Sequence, residues 1–537
     1  MVNIINKIVS KKRYIILGLF FVSLISCIPL FYNGMGKGHD LTFHLSRIMG
    51  IKDNFELGII GGYIYPKYFN GLGYGNPLFY PDVFLYIPAI LHYIGVNVIV
   101  SYKIFIFLIT LASSITMFIS ANGIFKNRKY ALISSLIYTC SSYRIADAFA
   151  RAALGESLAF VFAPLVIYGI YNIIYGDYKK IQHLIIGMSG LILSHVITTY
   201  IIGIILITIC LVNINKFIKE PKRILYLFLA ALITFLLTCY FLLPMLEQML
   251  DRDFFIYNID KTSNLQTMAV PIWAIFIETY WPGLVKEWIP SGIGLGIVLI
   301  IINFLKNFKK QTSFIKIIFI LAIICLLVST NLFPWNAFQK IFKFIQFPWR
   351  FYFVTTLFVS LGASSIVKID KFNNYQLLLC AFLITLPIII NIFYKYEDTV
   401  TSYNYYSAAF GEYLPTNANL KFMYRYNNIS SSHPINLDYE RNGLQLSIDF
   451  DDNWVKNNLE LPLLYYKGYA AFVNGKKIET YQTKHGLVGI TLDDVESGTI
   501  EVGYTGTMIQ KISRIISTVT LVSCAGIMIF KKKKTSH

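Results

Sequence analysis

Charged residues are scarce in this chain, and acidic ones are the scarcest. Only 14% of its 537 residues are Asp, Glu, Lys or Arg, while 55% are hydrophobic and the mean hydropathy is +0.57. A soluble protein of this length needs far more polar surface. Runs of about 18–25 apolar residues recur, and roughly 20 helical residues cross the hydrocarbon core of a membrane. The composition therefore predicts an α-helical polytopic membrane protein.

Several motifs that would point to other classes of protein are absent. All seven cysteines lie in apolar runs, so the sequence offers no disulfide framework and no zinc spacing. It has no P-loop and no glycine-rich dinucleotide motif after a strand, which disfavours an ATP-driven pump. The first apolar run, Tyr14 to Tyr32, lacks a small-residue cleavage site. We interpret it as a retained span rather than a signal peptide.

Positive charge is concentrated in short loops between the apolar runs, and the formal net charge is +18. Basic loops of membrane proteins face the cytoplasm and its anionic lipids, so this charge indicates orientation rather than nucleic-acid binding. The basic clusters at 11–13 and 531–534 place both termini in the cytoplasm. About 12 spans follow, two of them short helices within the apolar stretch Leu184–Ile214. The other spans are predicted near 14–33, 96–120, 130–145, 157–175, 224–245, 287–305, 314–333, 351–367, 375–394 and 509–530.

The polar segments between spans divide the chain into parts. Residues 1–395 are predicted to form the membrane domain, whose first outward loop, 33–95, is aromatic and suits interfacial helices on the membrane surface. Residues 396–508 alternate apolar and polar positions, and Asn474–Gly475 is a strong hairpin signal. This segment is predicted to be an extracytoplasmic all-β domain resembling a sandwich. Residues 509–537 supply the last span and a basic tail.

The segment GHDLTFHLSRIMG, residues 38–50, places titratable groups directly after the first span. On a helix, Asp40, His44 and Arg47 would share one face. The carboxylate can then serve as a general base or a metal ligand, the imidazole can orient it, and the guanidinium can hold an anion. The structural alternative is that Asp40 caps the helix while the other two lie in the headgroup layer.

Two further segments carry charge at or within the membrane. In SSYRIADAFARAALGE, Arg144 and Arg151 suit a lipid phosphate, although a self-neutralising cluster with Asp147 explains the pattern equally well. His195 lies inside the 30-residue apolar stretch, where an ionisable residue marks a candidate site unless it is hydrogen-bonded within a bundle.

Aromatic residues flank two more charged side chains, Glu278 in IETYWPGL and Arg350 in FPWRF. Such a cluster can stack on a sugar or bind a phosphate. The alternative is an aromatic belt with a cation that reaches the headgroup layer.

Several stretches together resemble known families. They are GHDLTFHLSRIMGIKDNFELG, GYGNPLFYP, RAALGESLAF, FPWRF and VNGKKI, and they extend over nearly the whole chain. They resemble bacterial membrane proteins of the YfhO-like family and of the related group named "6-pyruvoyl-tetrahydropterin synthase-related membrane domain". The zinc-binding histidine cluster of a soluble pterin synthase is absent, so that second name implies no pterin chemistry. The layout is also similar to the GT-C superfamily of membrane glycosyltransferases.

The GT-C resemblance implies an inverting glycosyltransferase that uses a polyprenyl-phosphate sugar donor and a glycan, lipid or protein acceptor of the cell envelope. It implies that Asp40 is the acidic residue of the first outward loop that assists the acceptor as a base, or the ligand of a divalent cation if one is used. His44 and Glu156 become catalytic candidates beside it. Together with the residue patterns above, it gives seven candidate substrate-binding residues: His39, Arg47, Arg144, Arg151, His195, Glu278 and Arg350.

Two rival functions remain open from the sequence. A lipid or polysaccharide transporter, or flippase, would also place histidine and arginine within a bundle, but it should show inverted repeats or broken helices in both halves. A non-catalytic scaffold that presents the β-domain would not need charge at positions 40, 144, 151 and 195.

Overall fold

The chain is mostly helical in a computed structural model, with strands concentrated near the C-terminus. The structure describes residues 11–256, 264–277, 292–370, 399–407, 411–418, 428–434, 436–451, 456–493 and 497–534, with a few isolated positions between these ranges. Glu278, the predicted span 375–394 and Cys380 lie outside the described residues.

The helices of at least eight residues in the described ranges are numbered in chain order. They are α1 Lys12–Ser26, α2 Leu41–Glu56, α3 Tyr86–Tyr93, α4 Val98–Phe125, α5 Arg128–Thr139, α6 Leu154–Tyr175, α7 Gln182–Ile192, α8 Val196–Val212, α9 Lys222–Asp251, α10 Leu295–Lys306, α11 Ser313–Val328, α12 Trp335–Phe342, α13 Tyr352–Asp370 and α14 Met508–Lys534.

Four of these helices are long and apolar enough to cross a membrane: α4, α6, α9 and the Met508–Ile529 part of α14. Helices α7, α8, α10 and α11 are apolar but shorter. The helical class and the presence of several apolar helices agree with the sequence, whereas the total of about 12 spans stays a prediction. The apolar stretch 184–214 forms two helices, α7 and α8, as its length and flanking charges predict.

The chain divides into two compact units. The first contains Met1–Leu41, Ile99–Phe235 and Ser263–Tyr403, and it is a helical bundle. Its helices pack through small polar residues: Ser134 on α5 hydrogen-bonds Ser364 on α13 at 2.6 Å. Gly190 on α7 faces Phe162 on α6 so closely that a Cβ would lie 2.1 Å from the ring. Small residues of this kind let helix backbones approach in membrane bundles.

The second unit contains Thr42–Val98, Leu236–Thr262 and Asn404–His537. The short strands β1 Met35–Gly36 and β2 Thr399–Val400 pair within the first unit. The described strands of the second unit are β3 Ser430–Ser431, β4 Asn436–Asn442, β5 Gln445–Asp451, β6 Lys456–Leu464, β7 Tyr469–Val473, β8 Lys476–Ile478, β9 Thr480–Gln482, β10 Leu487–Asp493 and β11 Ser497–Tyr504.

The strands of the second unit form two antiparallel sheets, with strand orders β3-β6-β10-β9 and β4-β5-β11-β7-β8. The larger sheet buries alternate residues of β5, among them Leu446 and Ile448. One buried face per sheet is typical of a two-sheet sandwich.

Much of the first outward segment belongs to this second unit. The Leu464 amide of β6 donates to the Leu72 carbonyl at 2.7 Å, and the Arg441 guanidinium of β4 donates to the Gly71 carbonyl. Phe79 stacks on Tyr413 with their ring centroids 5.0 Å apart. These contacts hold residues 71–79 against the β-sheet region. The same segment contains helices α2 and α3, and their position on the membrane surface stays a prediction.

Candidate active site in the helical unit

The Gly38–Asp40 loop is fixed to the backbone of the segment 141–156, which contains Arg151. The amides of His39 and Asp40 both donate to the Arg151 carbonyl, at 2.9 and 3.0 Å. Gly38 has a φ of +54°, and a Cβ there would lie 2.9 Å from the Ala152 Cβ and 3.1 Å from the Arg151 carbonyl oxygen. Only glycine suits this backbone conformation and close approach. The loop therefore holds Asp40 at a set position.

The segment that receives this loop is strained. Residues Ala146–Arg151 form a π-helical turn, and Ala152 has a left-handed φ of +55°. Such π-turns and left-handed non-glycine residues are costly and cluster at functional sites. The turn brings Asp147 and Arg151 together, with Arg151 Nη1 2.6 Å from Asp147 Oδ1.

Glu156, in the first turn of α6, joins the same group of charges. Arg151 Nη1 lies 3.0 Å from Glu156 Oε2, and the Tyr143 hydroxyl donates to Glu156 Oε1 at 2.6 Å. Arg350 Nε lies 3.9 Å from Glu156 Oε2. All four side chains are buried. Removal of Arg151 would leave two buried carboxylates with less compensation, which is costly.

Arg350 enters from the 3₁₀ turn Pro348–Phe351, which precedes α13. Its Nη1 donates to the Ile345 carbonyl at 2.6 Å and to Gln346 Oε1 at 2.9 Å. Its Nε makes no hydrogen bond to any part of the chain that the structure describes. A buried N–H without a hydrogen bond is costly, and its ion pair with Glu156 at 3.9 Å is too long to be one, so this donor can be satisfied by a ligand.

His195 lies at the break between α7 and α8. Its Nδ1 accepts the Thr198 amide at 3.3 Å and lies 2.7 Å from Thr198 Oγ1, so the imidazole serves as the N-cap of α8. A ring nitrogen that accepts an amide is unprotonated, so in the neutral imidazole Nε2 carries the proton and is a donor. The charges of Arg350 and Glu156 act on this ring.

These residues form what we term the charged cluster: Asp40, Asp147, Arg151, Glu156, His195 and Arg350. The Asp147 and Glu156 carboxylates contact the Arg151 guanidinium, and the charges of Arg151 and Arg350 act on the Asp40 carboxyl. Burial raises the pKa of Asp40 above its ordinary value, although the nearby Arg151 and Arg350 charges oppose the shift. Burial, and then the charge of Glu156, raise the pKa of Asp147 well above its ordinary value. Asp40 remains half-buried, so its carboxylate keeps some access to solvent.

Arg144 has different partners from those of the charged cluster. Its guanidinium donates to the Thr139 carbonyl at 2.5 Å, to Thr110 Oγ1 at 3.1 Å and to Ser26 Oγ. These neutral acceptors come from α1, α4 and α5. The structure thus gives Arg144 a role in joining helices, whereas the sequence offered it as a phosphate ligand.

His44 and Arg47 belong to the second unit and are buried there. Arg47 Nη2 lies 2.6 Å from Asp82 Oδ1 and donates to the Pro81 carbonyl at 2.8 Å, while its guanidinium stacks on Tyr80 at 4.0 Å. Arg47 Nη1 lies 3.3 Å from His44 Nδ1. This network joins α2 to residues 80–82, and a role of Arg47 in binding an anion stays a prediction.

His39 is exposed beside Asp40. Across the described ranges, no group of three His, Cys, Asp or Glu side chains is placed to hold a metal ion. A divalent cation held by Asp40 stays a prediction from the GT-C resemblance.

Sequence reasoning missed two residues of the site. No sequence pattern predicted a function for Tyr143, and Asp147 was predicted only as a member of a self-neutralising ion-pair cluster. The i, i+4 spacing of Asp147 and Arg151 was the available signal for that pair. No comparable signal pointed to the Tyr143–Glu156 hydrogen bond.

The apolar helices, the charged cluster and the β-sheet region together define a helical membrane protein with a second, β-rich unit. The family model described as "Bacterial membrane protein YfhO" matches residues 83–414. The chain therefore belongs to the YfhO family, which confirms the resemblance seen in the sequence. The matched range includes most of the charged cluster but not Asp40.

An uncharacterized protein of Lactococcus lactis subsp. cremoris (strain MG1363) is a relative, 26% identical over 339 residues. The match covers 60% of this chain and 54% of the relative, so it spans about half the length of that protein.

Proposed function

We propose that this protein is an inverting glycosyltransferase of the membrane. In this proposal it transfers a sugar from a polyprenyl-phosphate donor to a cell-envelope acceptor on the outer face of the cytoplasmic membrane. The observation that carries the proposal is the position of Asp40. The amides of its loop donate to the Arg151 carbonyl. The charges of Arg151, Arg350 and Glu156 act on its carboxyl group. The similarity to GT-C enzymes supports the same assignment.

The chemistry needs a base on one side of the sugar and positive charge on the other. The acceptor hydroxyl loses its proton to Asp40 while its oxygen forms a bond to the anomeric carbon. The bond from that carbon to the donor phosphate breaks, and polyprenyl phosphate leaves with the electron pair. This single displacement inverts the configuration of the anomeric carbon.

Arg151 and Arg350 have different roles in the proposed reaction. Arg151 is committed to Asp147 and Glu156, so it positions the carboxylates rather than the donor. Arg350 keeps an N–H without a hydrogen bond in the described structure, and it suits an oxygen of the departing phosphate. The Nε2 of His195 is a second donor for the same phosphate.

A direct test is to reconstitute the purified protein in vesicles with a labelled polyprenyl-phosphate hexose and a cell-envelope extract. A transferase moves the label covalently to a product that no longer carries the polyprenyl chain. A flippase moves the labelled donor between leaflets and leaves it intact, so that result would replace the proposal with the transporter alternative.

A further inference from the structure

A groove of about 380 Å³ opens in the helical unit between α1, α4 and the first residue of α5. Its walls are apolar for most of their extent. The α1 wall is formed by Ile15, Ile16, Leu19 and Phe20, and the α4 wall by Leu111, Ile115 and Phe118. These positions recur every three or four residues, so each set forms one face of its helix.

The lining of the groove is polar and positively charged at one end. Lys12, Asn122 and Arg128 line it there, and Lys12 and Arg128 are exposed. From Lys12 to Phe20, α1 rises about 12 Å at 1.5 Å per residue. The groove therefore presents two cations and an amide at its end and an apolar channel long enough for much of an acyl chain.

The segments that build this end of the groove carry charge of one sign. Lys11, Arg13, Lys126 and Lys129 adjoin the two cations in sequence. Neither residues 1–39 nor residues 83–146 contain an Asp or Glu, so the segments that build the groove bring no acidic side chain to it. Both α1 and α5 also begin here, and the N-terminal end of a helix favours an anion.

We propose that this groove binds one anionic glycerophospholipid of the cytoplasmic leaflet. The phosphate would lie between Lys12 and Arg128, and an acyl chain would lie along the α1 and α4 faces. Basic residues at the cytoplasmic ends of spans predict this leaflet, and basic pockets between membrane helices suit such headgroups. The inference is independent of the glycosyltransferase proposal.

The test is native mass spectrometry of the full-length protein in mild detergent with equal amounts of phosphatidylglycerol and phosphatidylcholine. We expect the wild type to retain one phosphatidylglycerol in preference to phosphatidylcholine. The Lys12→Gln/Arg128→Gln variant should lose about 30-fold of that preference, since each cation at the surface favours an anionic lipid severalfold. The Lys309→Gln/Lys310→Gln variant removes the same charge from another basic loop and should bind like the wild type.

A second variant tests the apolar part separately. Ile16→Trp fills the groove without a change of charge, and it should reduce retention of the phospholipid. Equal retention by the wild type and both groove variants would overturn the proposal. So would preferential capture of a polyprenyl phosphate added at the same concentration, because the groove would then be a site for that lipid class.

Discussion

Gly38 is the residue on which the position of Asp40 most directly depends. The loop that it opens lies against the Arg151 carbonyl and the Ala152 Cβ, where a side chain has no room. The adjacent amides then donate to Arg151, and these bonds fix the backbone of Asp40. The glycine in the GHD sequence is therefore part of the geometry of the charged cluster.

Gly38→Ala should lower both stability and activity. We expect a loss of about 1–2 kcal/mol from the left-handed backbone and about 1–3 kcal/mol from the contacts with Ala152 and Arg151. Thermal unfolding in detergent measures the change. Gly58→Ala is the matched control, because Gly58 also has a positive φ, +72°, but its Cβ would meet nothing within 4 Å. Equal losses in the two variants would contradict a tight contact at Gly38.

The pH dependence of transfer should report the ionisation of Asp40. Burial raises the pKa of this carboxyl, and a base must be ionised to accept a proton. The rate should therefore rise with pH as Asp40 loses its proton, with the acid limb at higher pH than for an exposed carboxylate. A profile of kcat/KM against pH measures this limb. A limb at the pH of an ordinary carboxylate would show that Asp40 is solvated or is not the base.

Individual side chains show which contacts can be predicted from sequence spacing and which cannot. Asp147 and Arg151 pair along one helical turn, and the spacing predicts this contact. Arg144 lies three residues before Asp147, yet two of its three partners, Ser26 and Thr110, are distant in sequence. Arg47 pairs with Asp82, 35 residues away. Such partners depend on tertiary packing, which local periodicity does not encode.

Among the secondary-structure elements, the break between α7 and α8 combines an observed helix cap with a proposed contact to the donor. His195 caps α8 through Nδ1, and under the proposal its Nε2 contacts the donor phosphate. An asparagine can accept the Thr198 amide in the same way, but it does not reproduce the imidazole Nε2.

His195→Asn should keep the cap and weaken the donor interaction, whereas His195→Ala should lose both. We expect His195→Ala to cost about 1 kcal/mol of stability relative to His195→Asn. Both variants should raise the KM for the donor. Thermal unfolding and steady-state kinetics together measure these effects. An unchanged KM in His195→Asn would restrict His195 to capping.

Other elements divide according to whether local residues determine them. The Asn474–Gly475 turn joins β7 and β8 with φ values of +50° and +76°, and its sequence alone predicts the hairpin. Asn127 caps α5 by accepting the Lys129 amide at 3.0 Å, which is also a local signal. The packing of residues 71–79 on the β-sheet region is not local, because it depends on strands nearly 400 residues later.

At the scale of the whole molecule, the distribution of basic loops predicts which segments lie outside the cell. In a cysteine-free variant, a single cysteine at Lys477→Cys in β8 should react with a membrane-impermeant maleimide in intact cells. A cysteine at Lys309→Cys should react only after permeabilisation. Labelling at position 309 in intact cells, or protection of position 477, would reverse the predicted topology.

The most direct test of Asp40 as the base of a glycosyltransferase is the rate of sugar transfer by the wild type and by Asp40→Asn. The donor is a saturating labelled polyprenyl-phosphate hexose. Asp177→Asn, at an exposed acid outside the charged cluster, is the matched control. The account predicts transfer by the wild type and the control, and a loss of about 100-fold or more in Asp40→Asn that still binds the donor lipid. Equal rates in all three proteins, or donor binding without transfer in any of them, would contradict it.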